Sequence, residues 1–235
     1  MTERGELGSS HAAGFAAFQA NRADAQAAEA SDLLIKVNKS GQLLGQKGHR
    51  TRTRIISATL SLIEASQGLA PSAAAVARAA EISSPTFYLY FADVGEAILA
   101  AVEQVGDELD PVIALLKPDW PADALFARAR AFVEAYFEYW EAHASALRVR
   151  NRLADQGDQR FVILRVNSVS RLSGAIAGKL VVPEPVGRLH LASVLVTALE
   201  RSVTVRVLGL YPDGKREQAG MMDALALLIA RSMQG

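Results

Sequence analysis

The sequence predicts an all-α protein, for two reasons. Half of the 235 residues are apolar, which is enough for a substantial core. These residues recur at spacings of three and four along most of the chain, as on one face of a helix. Strand-like alternation is scarce. Residues 203–207 alternate, but a lone strand in a helical chain would have no partner, so we predict a helix there.

Composition excludes several classes of function. The chain has no cysteine, so disulfides and thiolate metal sites are ruled out, and a reducing cytoplasm is expected. It has no run of 18 apolar residues and no secretory signal pattern, so no contact with a membrane is expected. The four histidines are scattered, and no glycine loop that could hold a phosphate is present. We therefore predict no catalytic residue, no metal and no cofactor, and the chain is not expected to be an enzyme.

The first 46 residues are predicted to form a flexible arm that is rich in Ala and then basic. Residues 1–30 contain mainly Ala, Gly, Ser and Gln, a composition that buries little apolar surface. No acidic residue occurs between Asp32 and Glu64, and this stretch contains Lys36, Lys39, Lys47, Arg50, Arg52 and Arg54. Such a patch is either a solvated tail or a surface that contacts nucleic-acid phosphates.

Three short helices are predicted between residues 47 and 92. The first covers residues 49–66 and ends near Gly68, and the second starts after Pro71 with Ser72 as its N-cap. The third follows a tight turn at Glu81 and Ile82, and Ser83 is its predicted N-cap. Val76 and Ala79 are expected to lie behind the third helix, and Phe87 and Phe91 beneath it. This layout is that of a helix-turn-helix, a DNA-reading unit.

Longer helices are predicted after residue 92. Asp93 and Glu96 have the spacing of a capping box, which predicts a helix over residues 93–116 with a kink at Pro111. Further breaks at Pro and Gly positions separate five more predicted helices, at residues 121–142, 144–154, 158–180, 186–209 and 213–233.

Four groups of residues carry a family resemblance. They are Arg54-Ile55-Ile56-x-Ala58-x-Leu60, then Gly68, then Val76-Ala77-x-x-Ala80, and finally Ile82-Ser83-x-Pro85-Thr86-Phe87-Tyr88-x-Tyr90-Phe91. Residues 54–99 thereby resemble the DNA-binding domain of the TetR family of transcriptional regulators. Two positions depart from the family pattern. Glu81 stands in the turn where the family usually has Gly, and Val94 stands where it often has Lys.

The resemblance implies three segments: an N-terminal arm over residues 1–46, a helix-turn-helix DNA-binding domain over 47–92, and a helical effector-binding and dimerisation domain over 93–235. It also implies a repressor that binds double-stranded operator DNA with a palindromic sequence as a homodimer and is released by a small lipophilic effector. The alternatives are an activator of the same fold, or a helical small-molecule-binding protein with weak or lost DNA binding.

The residues expected to contact DNA lie in the basic stretch and at the starts of the second and third helices. They are Lys47, Arg50, Arg52, Arg54, Ser72, Ser83, Ser84, Pro85, Thr86, Tyr88 and Tyr90. The third helix has no Arg, Lys, Asn or Gln between Ser83 and Phe91, so the usual bidentate base contacts are missing. Specificity is therefore expected to depend on hydroxyl groups, on DNA shape or on the basic arm.

The later helices carry the candidates for effector binding and dimerisation. An aromatic stripe and polar neighbours are the candidate effector contacts: Phe132, Tyr136, Phe137, Trp140, Asn151, Asn167, Arg171 and Thr197. The stripe could equally be plain core. Apolar positions on the last two helices are the candidate dimer contacts, with monomer core as the alternative: Leu189, Val196, Val203, Val207, Met222, Leu225 and Ile229.

Overall fold

The computed structural model describes residues 45–182, 186–210 and 215–234, and these ranges are helical and contain no strand. The predicted all-α class is confirmed. Residues 1–44 of the predicted arm, including Lys36 and Lys39, lie outside the described residues. No helix within the described ranges is both long enough and apolar enough to cross a membrane.

Ten α-helices and one short 3₁₀ helix form the described part of the chain. The α-helices are α1 (Gln46–Ala65), α2 (Ala73–Ala79), α3 (Ser84–Tyr90), α4 (Val94–Asp107), α5 (Asp110–Ala114), α6 (Leu125–Ala142), α7 (Ala144–Asp155), α8 (Gln159–Ala177), α9 (Arg188–Val207) and α10 (Lys215–Ser232), and the 3₁₀ helix is Ala122–Ala124. Residues 203–207 are helical within α9, as predicted.

The predicted N-caps are confirmed. The Oγ of Ser72 accepts a hydrogen bond from the amide of Ala75, and the Oγ of Ser83 accepts one from the amide of Thr86, both at 3.2 Å. At the start of α4, the Asp93 carboxylate accepts from the Glu96 amide at 2.7 Å. The Glu96 carboxylate in turn accepts from the amide of Ala92 at 2.5 Å. These side chains satisfy amides that have no partner inside the first helical turn.

The predicted helix over residues 93–116 is divided into two. α4 ends at Asp107, and α5 begins at Asp110 with Pro111 in its first turn. The ring of Pro111 cannot donate an amide hydrogen bond to a preceding turn, so one helix ends and a new one begins around it.

Two hydrophobic cores share helix α4. The first, which we call the head core, comes from the first three helices together with Ala97, Ala100 and Ala101 of α4. The second, which we call the body core, contains Ile98, Val102 and Val105 of α4 with residues of α6 to α10. Val76, Phe87 and Phe91 lie in the head core as expected, whereas Ala79 is exposed and Ala77 and Ala80 are buried instead.

Candidate functional site

The exposed side of α3 presents several of the predicted DNA contacts. Ser84 and Pro85 are exposed, and Tyr88 is 46% exposed with its ring edge-on to Phe87 at 5.3 Å between centroids. Thr86 is half-buried, and its hydroxyl lies 2.8 Å from the Oγ of Ser83. Tyr88 is therefore the aromatic side chain of this helix that is most available to a ligand.

Tyr90 and Leu89 have the opposite environments from those that their chemistry suggests. Tyr90 was predicted to contact DNA, but it is half-buried and packs against the head core. Leu89 is 62% exposed and was not singled out from the sequence. The helical pattern places both residues near the edge of the buried stripe. The packing of the neighbouring helices then decides which of the two is covered.

The cations of α1 separate into two groups. Lys47, Arg50 and Arg54 are exposed and form a positive surface on the first helix, as expected of residues that contact phosphates. The guanidinium carbon of Arg52 lies 5.0 Å from the centre of the Phe91 ring. Burial lowers the pKa of Arg52, although the carboxylates of Glu96 and Glu103 raise it. Its predicted role as a DNA contact is therefore corrected to packing within the head.

Three more exposed side chains lie on the second and third helices or at their starts. Ser72 and Ser83 are exposed at the starts of α2 and α3, with their hydroxyl oxygens occupied as caps. Arg78 is exposed in the last turn of α2 and was missed in the sequence analysis. The signal was present, since Arg78 is the one cation in a helix that otherwise contains Ala and Val.

A cavity of about 340 Å³ lies between α7, α8 and α9, and most of its lining is polar. It is lined by Asn151, Arg165, Val166, Val169, Ser170, Ser173, Ser193 and Glu200. Of the predicted effector contacts, only Asn151 lines this cavity. The other predicted effector contacts lie either in the packed core or on the surface.

The aromatic stripe of α6 is packed core rather than an open pocket. Phe132 and Phe137 are 0% and 1% exposed. Tyr136 and Trp140 border a neighbouring slot of only about 10 Å³, which is roughly the space that one water molecule needs. Their predicted role as pocket walls is therefore corrected to core packing. Burial raises the pKa of Tyr136 well above its usual range.

Three predicted polar anchors lie on the surface. Asn167 and Arg171 are exposed on α8, and Arg171 forms an ion pair with Asp110. Thr197 is exposed on α9, and its hydroxyl donates to the carbonyl of Ser193 at 2.8 Å. Since none of the three lines the cavity, their assignment as effector contacts is wrong for this arrangement of helices.

A buried charged pair lies where the cavity meets the slot. Arg150 is 4% exposed, and its Nη2 lies 4.0 Å from an Oε of Glu200. Its Nε donates to the side-chain oxygen of Asn151 at 3.1 Å. Burial lowers the pKa of Arg150, and Glu200 opposes that shift. Burial likewise raises the pKa of Glu200, and Arg150 opposes it. Arg150 and Glu200 together were not predicted as effector contacts, because no local pattern brings α7 and α9 together.

Comparison with known proteins identifies the body of the chain. Residues 114–207 match the family described as tetracyclin repressor-like, C-terminal domain. The body of this chain is therefore similar to the C-terminal domain of tetracyclin repressor-like proteins. Among curated proteins, no sequence matches this chain.

Solved structures show the same fold at low sequence identity. A TetR-family regulator from Streptomyces coelicolor superposes with a TM-score of 0.57 at 23% identity, over 80% of this chain and 83% of that one. A TetR-like regulator from Rhodococcus sp. RHA1 gives 0.55 at 21% identity, over 78% and 96%. The fatty acid degradation regulator FadR from Bacillus halodurans gives 0.56 at 16% identity, over 80% and 97%.

The residues predicted to join two copies of this chain are mostly buried within one copy. Val196, Val203, Met222, Leu225 and Ile229 are at most 7% exposed and belong to the body core. Their burial favours monomer core, the alternative that the sequence left open. Leu189 and Val207 are half-buried.

The opposite sides of α9 and α10 carry the exposed apolar side chains. Val194 on α9 is 64% exposed, and Met221, Leu227 and Leu228 on α10 are 37%, 48% and 54% exposed. We call these four residues the outer apolar face. Exposed apolar side chains on two helices that contact each other are candidates for an interface.

Proposed function

We propose that this chain is a TetR-family DNA-binding transcriptional repressor that acts as a homodimer and releases a palindromic operator when a small molecule enters the cavity. In this assignment, residues 47–92 are the DNA-binding domain and residues 93–235 bind the effector and the second copy. The observation that carries the proposal is that α3 exposes Ser84, Pro85 and Tyr88 while α1 exposes the cations Lys47, Arg50 and Arg54.

The chemistry of these exposed side chains supports docking by shape and backbone contact. Because α3 carries hydroxyl and apolar groups, direct base recognition is limited to hydroxyl bonds and methyl contacts. Lys47, Arg50, Arg54 and Arg78 supply the positive charge that backbone binding requires. The affinity for DNA is therefore expected to fall steeply with salt concentration.

One link between the head and the cavity runs through α7. The Nη1 of Arg152 donates to the carbonyl of Gly68 at 3.2 Å. A Cβ at Gly68 would lie 2.9 Å from the carbonyl oxygen of Ser145, so the end of α1 sits directly on α7. The same helix carries Arg150 and Asn151 to the cavity. Movement of α7 on ligand binding would therefore reach α1.

A second link runs through α8. Arg160, in the first turn of α8, donates through Nη1 to both oxygens of Asp93 at 3.0 and 3.1 Å, and through Nη2 to Asp158 at 2.8 Å. Asp93 is the N-cap of α4, which belongs to both cores. α8 also lines the cavity with Arg165, Val169 and Ser173. A ligand that prefers one arrangement of α8 thus biases the position of α4, and DNA affinity changes only by the difference in ligand affinity between the two states.

The decisive test is nuclease footprinting on the DNA upstream of the gene, combined with two variants of Tyr88. We expect a protected palindrome with the intact chain, because two recognition helices on a two-fold axis read two half-sites. Tyr88→Ala should weaken protection by about tenfold or more, and Tyr88→Phe should separate the hydroxyl contact from the ring contact. Leu115→Ala is the matched control, since Leu115 is 41% exposed and lies in the body.

The proposal fails if the intact chain protects no site at low salt, or if it binds upstream DNA and random duplex equally. Circular dichroism and thermal melting are measured on each variant. A Tyr88→Ala protein that loses helicity would identify Tyr88 as a packing residue instead, and the assignment of α3 as the reading helix would then need another exposed residue to support it.

A further inference from the structure

Most residues that line the cavity between α7, α8 and α9 are polar, but their charges balance. Glu200 lines the cavity, and Arg150, which borders the neighbouring slot, lies 4.0 Å from Glu200. Arg165 lines the wall, and its Nη1 lies 2.6 Å from the Asp155 carboxylate. Each cation near the cavity is therefore matched by one carboxylate. A ligand with a net charge would add an uncompensated charge beside Arg150, which is only 4% exposed.

Two groups at the cavity have hydrogen-bonding capacity that the described residues do not use. Ser173 is 2% exposed, and its Oγ has no hydrogen-bond partner in the described part of the chain. The Glu200 carboxylate contacts Arg150 at 4.0 Å, which is longer than a hydrogen bond. A buried hydroxyl without a partner is costly, so a ligand that hydrogen-bonds to Ser173 gains affinity at this point.

The two unused groups require complementary partners. A carboxylate oxygen accepts hydrogen bonds, so Glu200 calls for a donor on the ligand. The Ser173 hydroxyl can donate or accept, so it can take an acceptor on the same ligand. A primary amide carries a donor and an acceptor on one group without net charge.

We propose that the cavity binds a neutral molecule that presents a hydrogen-bond donor and acceptor together, such as an amide, on a compact apolar skeleton. The paired Val166 and Val169 on α8 supply the wall for the skeleton. This replaces the purely lipophilic effector expected from the sequence, because the sequence could not show that Arg150 and Glu200 meet. The inference rests on the proposed function only in treating the bound molecule as an effector.

The test compares probes that differ only in their polar group. Benzene, naphthalene and linear C8 skeletons are each prepared as the primary amide, the carboxylate and the ammonium, and binding to the DNA-free full-length chain is measured by calorimetry. We expect the amide of at least one skeleton to bind about tenfold or more tightly than both matched ions. Equal or tighter binding of either ion, or no binding by any amide, overturns the proposal.

Two variants test the residues. Ser173→Ala should weaken the best amide by about tenfold, since its buried hydroxyl is open to the ligand. Ser232→Ala is the matched control, because Ser232 does not line the cavity and its Oγ donates to the carbonyl of Leu228 at 2.8 Å, and it should change binding by less than about twofold. Equal losses in both variants contradict the role of Ser173.

Glu200→Gln tests the charge balance. Removing this carboxylate leaves Arg150 without its partner, so we expect the preference to shift from the amide towards the carboxylate probe. An unchanged preference in a variant that melts as the parent does contradicts the argument from charge. Because these measurements contain no DNA, a failed footprint would not affect them, and failure of the probes would leave the footprint result intact.

Discussion

Glu81 occupies a backbone conformation that side chains disfavour. Its φ is +53° in the turn between α2 and α3, where the TetR resemblance leads one to expect Gly. A residue with a Cβ is strained in this left-handed region. The turn is nevertheless closed by backbone hydrogen bonds from the amides of Glu81 and Ile82 to α2, at 3.1 and 3.0 Å. The packed head thus holds Glu81 in place despite the local strain.

Replacing Glu81 with Gly is therefore expected to stabilise the protein. We expect Glu81→Gly to raise the free energy of unfolding by about 0.5–1 kcal/mol, as the relief of strain exceeds the added freedom of the unfolded chain. Urea unfolding measures the change. Ala131→Gly, on the exposed side of α6, is the control and should lower stability by about 1 kcal/mol. A loss of stability in both variants would show that the turn carries no strain.

Single residues also show what a sequence can and cannot reveal. The caps at Ser72, Ser83 and Asp93 were predictable because each depends on residues within one turn. The packing of Arg52 over Phe91 joins two different helices, so it depends on tertiary structure. The pairing of Arg150 with Glu200 is likewise between helices, and the chemistry of the cavity could not be predicted for that reason.

The helices themselves were predicted more reliably than their orientation. All ten coincide with predicted segments, apart from the division at Pro111 and shifts of a few residues at the ends. Helix α9 has apolar residues on both sides, for example Val203 in the core and Val194 in solvent. When apolar residues surround a helix, their spacing does not reveal which side is buried. The spacing could therefore not decide between a dimer contact and monomer core for residues such as Val203.

The contact between α1 and α7 gives a prediction about glycine. Gly68 and Gly157 have similar φ values, +92° and +89°, but only Gly68 has neighbours within 4 Å of an added Cβ. Gly157→Ala should therefore cost only the backbone strain, about 1–2 kcal/mol, and Gly68→Ala should cost more because α7 must also move. Gly106→Ala, inside α4 with open space around it, should stabilise by roughly 1 kcal/mol.

Thermal and urea unfolding of these three variants distinguish the cost of backbone strain from the cost of a steric clash between the added Cβ and α7. Equal losses of stability in Gly68→Ala and Gly157→Ala would mean that α1 and α7 move apart without cost to make room for the added Cβ. The link between head and cavity through Gly68 would then lose its support.

The outer apolar face is the surface through which two chains could assemble. Val194, Met221, Leu227 and Leu228 lie on adjacent helices, away from the body core, and a two-fold axis would bring the face onto its own copy. We propose this face as the dimer interface, in place of the buried residues that the sequence suggested. The two recognition helices would then be held at a fixed distance by the two joined body domains.

A double variant tests the interface. Val194→Glu with Leu228→Glu should weaken dimerisation by about tenfold or more, because the introduced charges would lose their water in the contact. Sedimentation velocity across a concentration series measures the change. Ile163→Glu is the control, since Ile163 on α8 is 55% exposed and outside the outer apolar face. Dimers of unchanged strength in the double variant would exclude this face.

Helix α4 has a consequence for anyone who wishes to build a chimeric regulator. Ala97, Ala100 and Ala101 pack in the head core, whereas Ile98, Val102 and Val105 pack in the body core, so the two sets interleave along one helix. A fusion point placed before Asp93 would transplant a head without three of its core alanines. A working hybrid must keep the head-facing alanines from the donor of the DNA-binding half and the body-facing Ile and Val from the other parent, as a mosaic within a single helix.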